Sequence, residues 1–244
     1  MGPRTLVLPT QNGVDTPEVL GRLVGAEHVL GGYSRITSLL TGPGEINHTA
    51  IQPVIQGTGL LSGSGAWAAA ELERAAAAWG RCPQLRLSVD ADVSLAMWQK
   101  LTTMAPYSAL CASSRCCIGP LMAAPATREL LRACMHETAA VARACGVAMT
   151  DAHVNTAFTI LEGLPAGATP SLMRDFAAGR PSELDAQAGV VVRLAAAKGV
   201  PAPLMGALYA VLVPQEMIAR GELALPKTMH CHSDTSALPL EYYI

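Results

Sequence analysis

The stretch RTLVLPTQNGVDTPEVL, residues 4–20, decides how the chain is read. An apolar run closed by Pro9 passes through a polar loop holding Asn12 and Gly13 into a helix that runs to about Val24, with Thr16 as the expected N-cap and Pro17 at the first helical position. Later strands of a nucleotide-binding sheet end this way, yet here the pattern comes first. A strand that feeds a helix on an open sheet pairs with parallel neighbours supplied by βαβ units. None precedes this one, so strand edges left unpaired, or covered by another chain, are expected.

Composition narrows the class. Of 244 residues, 50% are hydrophobic and 15% charged, with a net charge of −2, which describes a compact globule rather than a disordered chain. No basic run tracks phosphates, so nucleic acid is not an expected partner. The start MGPRTLVLP lacks the basic-then-apolar layout of a secretory signal. No uncharged apolar stretch reaches the roughly 18 residues that span a bilayer, so no membrane partner is expected. Seven cysteines, an odd number with no CxxC spacing, complete the picture of a cytoplasmic protein whose thiols are mostly buried small hydrophobes.

Along the chain, residues 1–90 read as mixed α and β and residues 91–222 as helical, followed by a tail at 223–244. Alternating β-branched and aromatic residues flank the turn TGPGE, residues 41–45, and predict a hairpin. AWAAAELERAAAAWG, residues 66–80, is helical by composition, and QLRLSV, residues 84–89, is a short strand. Asp90 or Asp92 caps the next helix, which Pro106 should bend or end. Helices are then expected at about 93–105, 126–145, 151–162, 170–178, 183–198 and 204–220, the last kinked at Pro214.

Several residues carry chemistry on one reading and only packing on another. Lys100 sits on a helix apolar on nearly every side, with Met97 and Met104 on its own face. Burial would disfavour its charge and make it a proton donor near neutral pH, whereas a snorkelling stem is the ordinary alternative. Glu183, behind Ser182, complements a helix dipole without further function. Ser171, read from the residues alone, is better explained as a first-turn hydroxyl. Asn12 lies just past a strand's carboxyl end, where open α/β sheets bind ligands, or else forms a turn with Gly13. His230, Cys231 and His232 are too few for a metal site, and none is expected. No GxGxxG follows a strand, and GSG at residues 63–65 is not continued by a third glycine.

Taken together, LPTQNGVD, VLGGYSRITSLLTGPGEINHT, LRLSVDADVSLAMWQKL, SLMRDFAAGRPSELDAQAGVVVRLAAAKGVPAP and ALYAVL resemble the ketopantoate reductase (2-dehydropantoate 2-reductase) family, in family order over about residues 5–213. The resemblance implies an incomplete Rossmann-type α/β part followed by a six-helix domain. It also implies NADPH-dependent reduction of a small 2-oxo acid in the cleft between them. It makes Lys100 the general acid, Glu183 the carboxylate that orients substrate and lysine, Ser171 a substrate contact, and Asn12 an amide near both cofactor and carbonyl.

The departures carry their own expectations. Family members commonly place asparagines one and two turns after the lysine, where they help bind substrate, and this chain has Met104 and Ser108 there. A pocket for a less polar or larger ligand than ketopantoate follows. The family's first βαβ units and their glycine loop are missing, so NADPH is not expected to bind this chain alone. A cofactor-independent isomerase, cyclase or lyase that reuses Lys100 and Glu183 is the alternative reading. A non-catalytic binding or dimerisation module, in which exposed edges recruit a second copy into a homodimer, is the third.

Overall fold

The structure is a computed structural model and describes residues 1–224, apart from the side chains of residue 39 and residues 49–53. The histidine–cysteine cluster expected at residues 230–232 lies outside the described residues. In chain order the elements are α1 (Thr16–Val24), β1 (Gly31–Gly42), β2 (Glu45–Gly59), α2 (Ala68–Trp79), β3 (Leu85–Val89), α3 (Val93–Ser114), α4 (Ile118–Ala123), α5 (Pro125–Ala144), α6 (Asp151–Glu162), α7 (Ser171–Ala177), a π-helical turn (Asp185–Gly189) that runs into α8 (Val190–Lys198), and α9 (Pro203–Ala219). An α/β part followed by a helical bundle is the architecture expected from the sequence, and α4 adds a short helix to the six.

The opening apolar run forms less strand than expected. Among the described residues it is tied to the sheet by one parallel bridge, Val7 to Val29. Val7 N–H donates to His28 O at 2.9 Å, and Leu30 N–H donates to Val7 O at 3.0 Å. One neighbour on one side supports a bridge and not a ladder. Beside it, β1 and β2 form the hairpin around residues 43–44, and β3 adds in parallel to β2, giving the order β1-β2-β3.

Helix ends follow local chemistry, with corrections. Asp15, not Thr16, is the N-cap of α1, and it makes no side-chain capping bond. Asp92, not Asp90, caps α3 by accepting from Leu95 N–H at 2.9 Å, while Asp90 accepts from the Tyr33 hydroxyl at 3.0 Å. Thr150 and His153 form the capping box that starts α6. α3 does not end at Pro106, and α9 likewise continues through Pro214. Proline at 106 removes the bond to the Thr102 carbonyl, but α3 is buried on both sides of it, at Leu101, Thr102, Ala105, Tyr107 and Ser108. That packing holds the helix together.

α3 is the axis of the molecule. The main core gathers its Trp98, Leu101, Leu110 and Cys111 with Leu131, Met135, Phe158, Leu172, Val191, Met205 and Leu212 from the surrounding helices. A smaller cluster of Tyr33, Val93, Ala96 and Met97, with Val14 and Leu61, joins the sheet to the same helix. At the far end of the bundle, Glu137 accepts from the backbone N–H groups of Leu204 at 3.0 Å and Met205 at 2.8 Å, capping the start of α9.

Candidate active site

The loop after the Val7 bridge is held in place from two directions. Gly13 has φ +115°, and a Cβ there would stand 3.3 Å from the Ala186 carbonyl, so the loop rests directly on the π-helical turn. Arg193 then clamps both sides: it donates to Asp15 at 3.1 Å and to Asp185 at 2.6 Å, and the Tyr209 hydroxyl also donates to Asp185 at 3.0 Å.

That clamp brings three residues named from the sequence into one hydrogen-bonded row. Lys100 Nζ donates to Asn12 Oδ1 at 2.6 Å and to the Ser34 carbonyl at 2.7 Å. Asn12 Nδ2 in turn donates to Glu183 Oε2 at 2.7 Å. The amide can face only one way, because its carbonyl must meet the ammonium and its NH2 the carboxylate. Gln187 Nε2 adds a second donor to Glu183 Oε2, at 3.2 Å.

Burial lowers the Lys100 pKa from its ordinary 10.5 to about 8; the Glu183 carboxylate works against this shift, and Arg35 adds to it. The snorkelling alternative does not describe this lysine. Tyr33, beside it, is pushed up to about 12 by burial and by its bond to Asp90, and so stays neutral.

Gln11, Asn12, Gly13, Tyr33, Met97, Lys100, Leu101, Met104 and Gln187 line a cleft whose interior is about 10 Å³, room for one water. Residues 97, 100, 101 and 104 are one stripe of α3, as the helical spacing predicts. Met104 therefore lines the cleft. Ser108 lies a further turn along α3, fully buried, with its hydroxyl unpartnered. Ser171 opens α7, which packs on α3, and is half-buried. Neither serine is among the residues lining the cleft.

Sequence reading assigned no role to Ser34, Gln187 or Glu216. Ser34 contributes a backbone carbonyl, which carries no side-chain signal. Gln187 falls four residues after Glu183, a spacing that puts the two on one helix face without marking either as buried. Glu216 is 7% exposed and accepts from Ser182 N–H at 3.0 Å, Ser182 Oγ–H at 2.6 Å and Arg220 Nε–H at 2.7 Å. It thereby fixes the chain just before Glu183. Glu216→Leu should cost about 2–3 kcal/mol, since it leaves the Ser182 N–H and a charged partner unmet. Thermal melting would measure this as a lower Tm, and an unchanged Tm would refute it.

Fold and site together define a protein of the ketopantoate reductase type. The signature described as "Ketopantoate reductase PanE/ApbA C terminal" matches residues 92–216, and that of "Ketopantoate reductase PanE/ApbA" matches residues 1–59. The chain belongs to the ketopantoate reductase family. It is 25% identical over 204 residues to a 2-dehydropantoate 2-reductase of Nostoc sp., covering 84% of this chain and 63% of that protein. It is 26% identical over 223 residues to one of Caulobacter vibrioides, covering 87% and 69%. The chain thus spans about two thirds of the length of these relatives. Among solved structures, the 2-dehydropantoate 2-reductase of Geobacter metallireducens superposes with a TM-score of 0.77 at 27% identity, covering 86% of this chain and 68% of its own. The ketopantoate reductase of Ralstonia eutropha does so with a TM-score of 0.75 at 27% identity, covering 88% and 68%.

Proposed function

We propose that this chain is the substrate side of a reductase that converts a small 2-oxo acid into a 2-hydroxy acid, with Lys100 as the proton donor. The observation that carries this reading is the valence of Lys100 Nζ. An ammonium has three N–H donors. Two are engaged by Asn12 Oδ1 and the Ser34 carbonyl, and the third is left for a carbonyl oxygen in the cleft.

The chemistry follows from that geometry. With a pKa of about 8, Lys100 is charged at neutral pH but only weakly attached to its proton. Its third N–H polarises the ketone and then passes the proton to the oxygen as the carbonyl becomes a hydroxyl. The neutral amine that remains keeps Asn12 and Ser34 as acceptors, so it does not swing away. Glu183 reaches the lysine through the Asn12 amide and holds that amide in line. Arg35, on the same face of β1 as Tyr33 and 5.5 Å over its ring, has no carboxylate partner among the described residues and suits the acid group of the substrate. Met97, Leu101 and Met104 offer an apolar wall to its tail.

In the family's reaction NADPH supplies the hydride. The described residues do not fit its phosphates. α1, the helix that follows the loop, opens with Asp15 at its cap and Glu18 in its first turn. Asp15 is already paired with Arg193 and Glu18 with Arg22, so the protein's own charges occupy the helix N-terminus where a pyrophosphate would otherwise sit.

Calorimetric titration of the purified chain with ketopantoate, alongside titration of NADPH followed by nicotinamide fluorescence, tests the reading. The acid is expected to bind and the fluorescence to stay unchanged. Absence of heat with 2-oxo acids of any tail would overturn it.

A further inference from the structure

Gln187 stands apart from every other residue of the cleft. It is fully buried, it lines the cleft beside Lys100 and Met104, and its Nε2 is committed to Glu183. Its Oε1 is buried and has no partner. The amide cannot be turned over to hide this, because Oε1 would then face the Glu183 carboxylate. A buried acceptor without a donor is costly, and such atoms in a lined cleft are explained by a donor that arrives from outside.

We infer that Gln187 is a specificity residue of this site: its Oε1 accepts a hydrogen bond from a hydroxyl or N–H on the tail of the bound 2-oxo acid. The inference rests on the reading of the cleft proposed above and adds to it the kind of acid preferred. The substrate is an acid with a hydrogen-bond donor beyond the keto group, and not a plain hydrocarbon chain.

The surroundings agree. The α3 stripe turns only Met97, Leu101 and Met104 to the cleft besides Lys100, so α3 supplies no amide to the tail. The π-helical turn supplies one from the opposite wall. Its position also separates the two jobs of the cleft: Lys100 and Asn12 address the carbonyl oxygen, and Gln187 addresses a second group. In the conformation described, the cleft admits a single water, so the acid enters by displacing it and widening the cleft, while Asn12 and the Ser34 carbonyl keep hold of Lys100.

The test compares two acids that differ by one hydroxyl: ketopantoate and 3,3-dimethyl-2-oxobutanoate. Dissociation constants are measured by calorimetry for the wild-type chain, for Gln187→Leu, and for Gln187→Met as a volume-conserving second variant, each checked by its melting temperature. The wild type should favour the hydroxylated acid by about tenfold or more, and both variants should bring that ratio close to one. A purely structural Gln187 would weaken both acids alike through Glu183 and leave the ratio where it was, which would overturn the inference. A wild-type ratio of one would overturn it while leaving the 2-oxo acid reading intact, whereas failure of the wild type to bind either acid would remove both. Where Gln187→Leu does not fold, Gln187→Met decides.

Discussion

Replacing Lys100 by methionine is expected to weaken binding of the 2-oxo acid by about tenfold or more, because the charged hydrogen bond to its carbonyl oxygen is lost. Methionine fills the space among Met97, Leu101 and Met104, so the variant should fold. The pH profile carries the sharper signature. The ammonium is the form that donates to the acid's carbonyl, so affinity is expected to decline as pH rises through about 8, well below the 10.5 of an ordinary lysine. The stability effect has the opposite trend. The folded chain releases the proton near pH 8 and the unfolded chain near 10.5, so between those values the unfolded state holds more protons and stability rises with pH. Both trends should vanish in Lys100→Met. Calorimetric titration of the acid and urea unfolding, each run across pH 7–10.5, would measure them, and a variant that kept its affinity for the acid within about threefold would end the assignment.

Gly32→Ala should damage both fold and site. A Cβ at residue 32 would lie 2.2 Å from the Pro9 carbonyl oxygen and 2.6 Å from Leu8 Cδ1. The first of these is backbone, so the strain cannot be relieved by a rotamer change, and a cost of about 3 kcal/mol is expected. Pro9 is also the anchor from which the Asn12 loop hangs, so the displacement is passed to Lys100. The control is Gly44→Ala in the hairpin turn, where no atom lies within 4 Å and only the positive φ of +77° opposes a side chain. That change should cost about 1 kcal/mol and leave acid binding untouched. Equal losses in the two variants would show that the Pro9 contact does not matter.

Periodicity alone placed Met97, Lys100 and Met104 on one face of α3, and the loop after a strand end marked Asn12. Glu183 was visible only by resemblance, because a first-turn carboxylate has an ordinary explanation in the helix dipole. Ser34 was hidden because its contribution is main-chain. Gln187 was hidden because a polar residue inside ELDAQAGVVV reads as the solvent side of an amphipathic helix, and only the packing of the π-helical turn against α3 buries it. The same limit explains the prolines. Sequence predicts what Pro106 removes from a helix, and the cost of removal is decided by the packing of α3, whose core partners such as Leu172 and Met205 come from distant segments. The opening run failed as a strand for a related reason: strand character belongs to pairs of segments, and among the described residues Val7 has one partner.

The Asn12 amide joins the loop to α3 and to the turn before α8 at the same time. The acidity of Lys100 is therefore owned by the assembled joint and not by the lysine. Swing the loop out, and water reaches Nζ, the pKa climbs back toward that of a free amine, and the proton is no longer for hand-over. The coupling runs both ways: whatever takes the proton from Lys100 tightens the loop's grip, and whatever restores it loosens the latch. A turnover that consumes one proton would thus carry its own signal for closing and reopening the cleft.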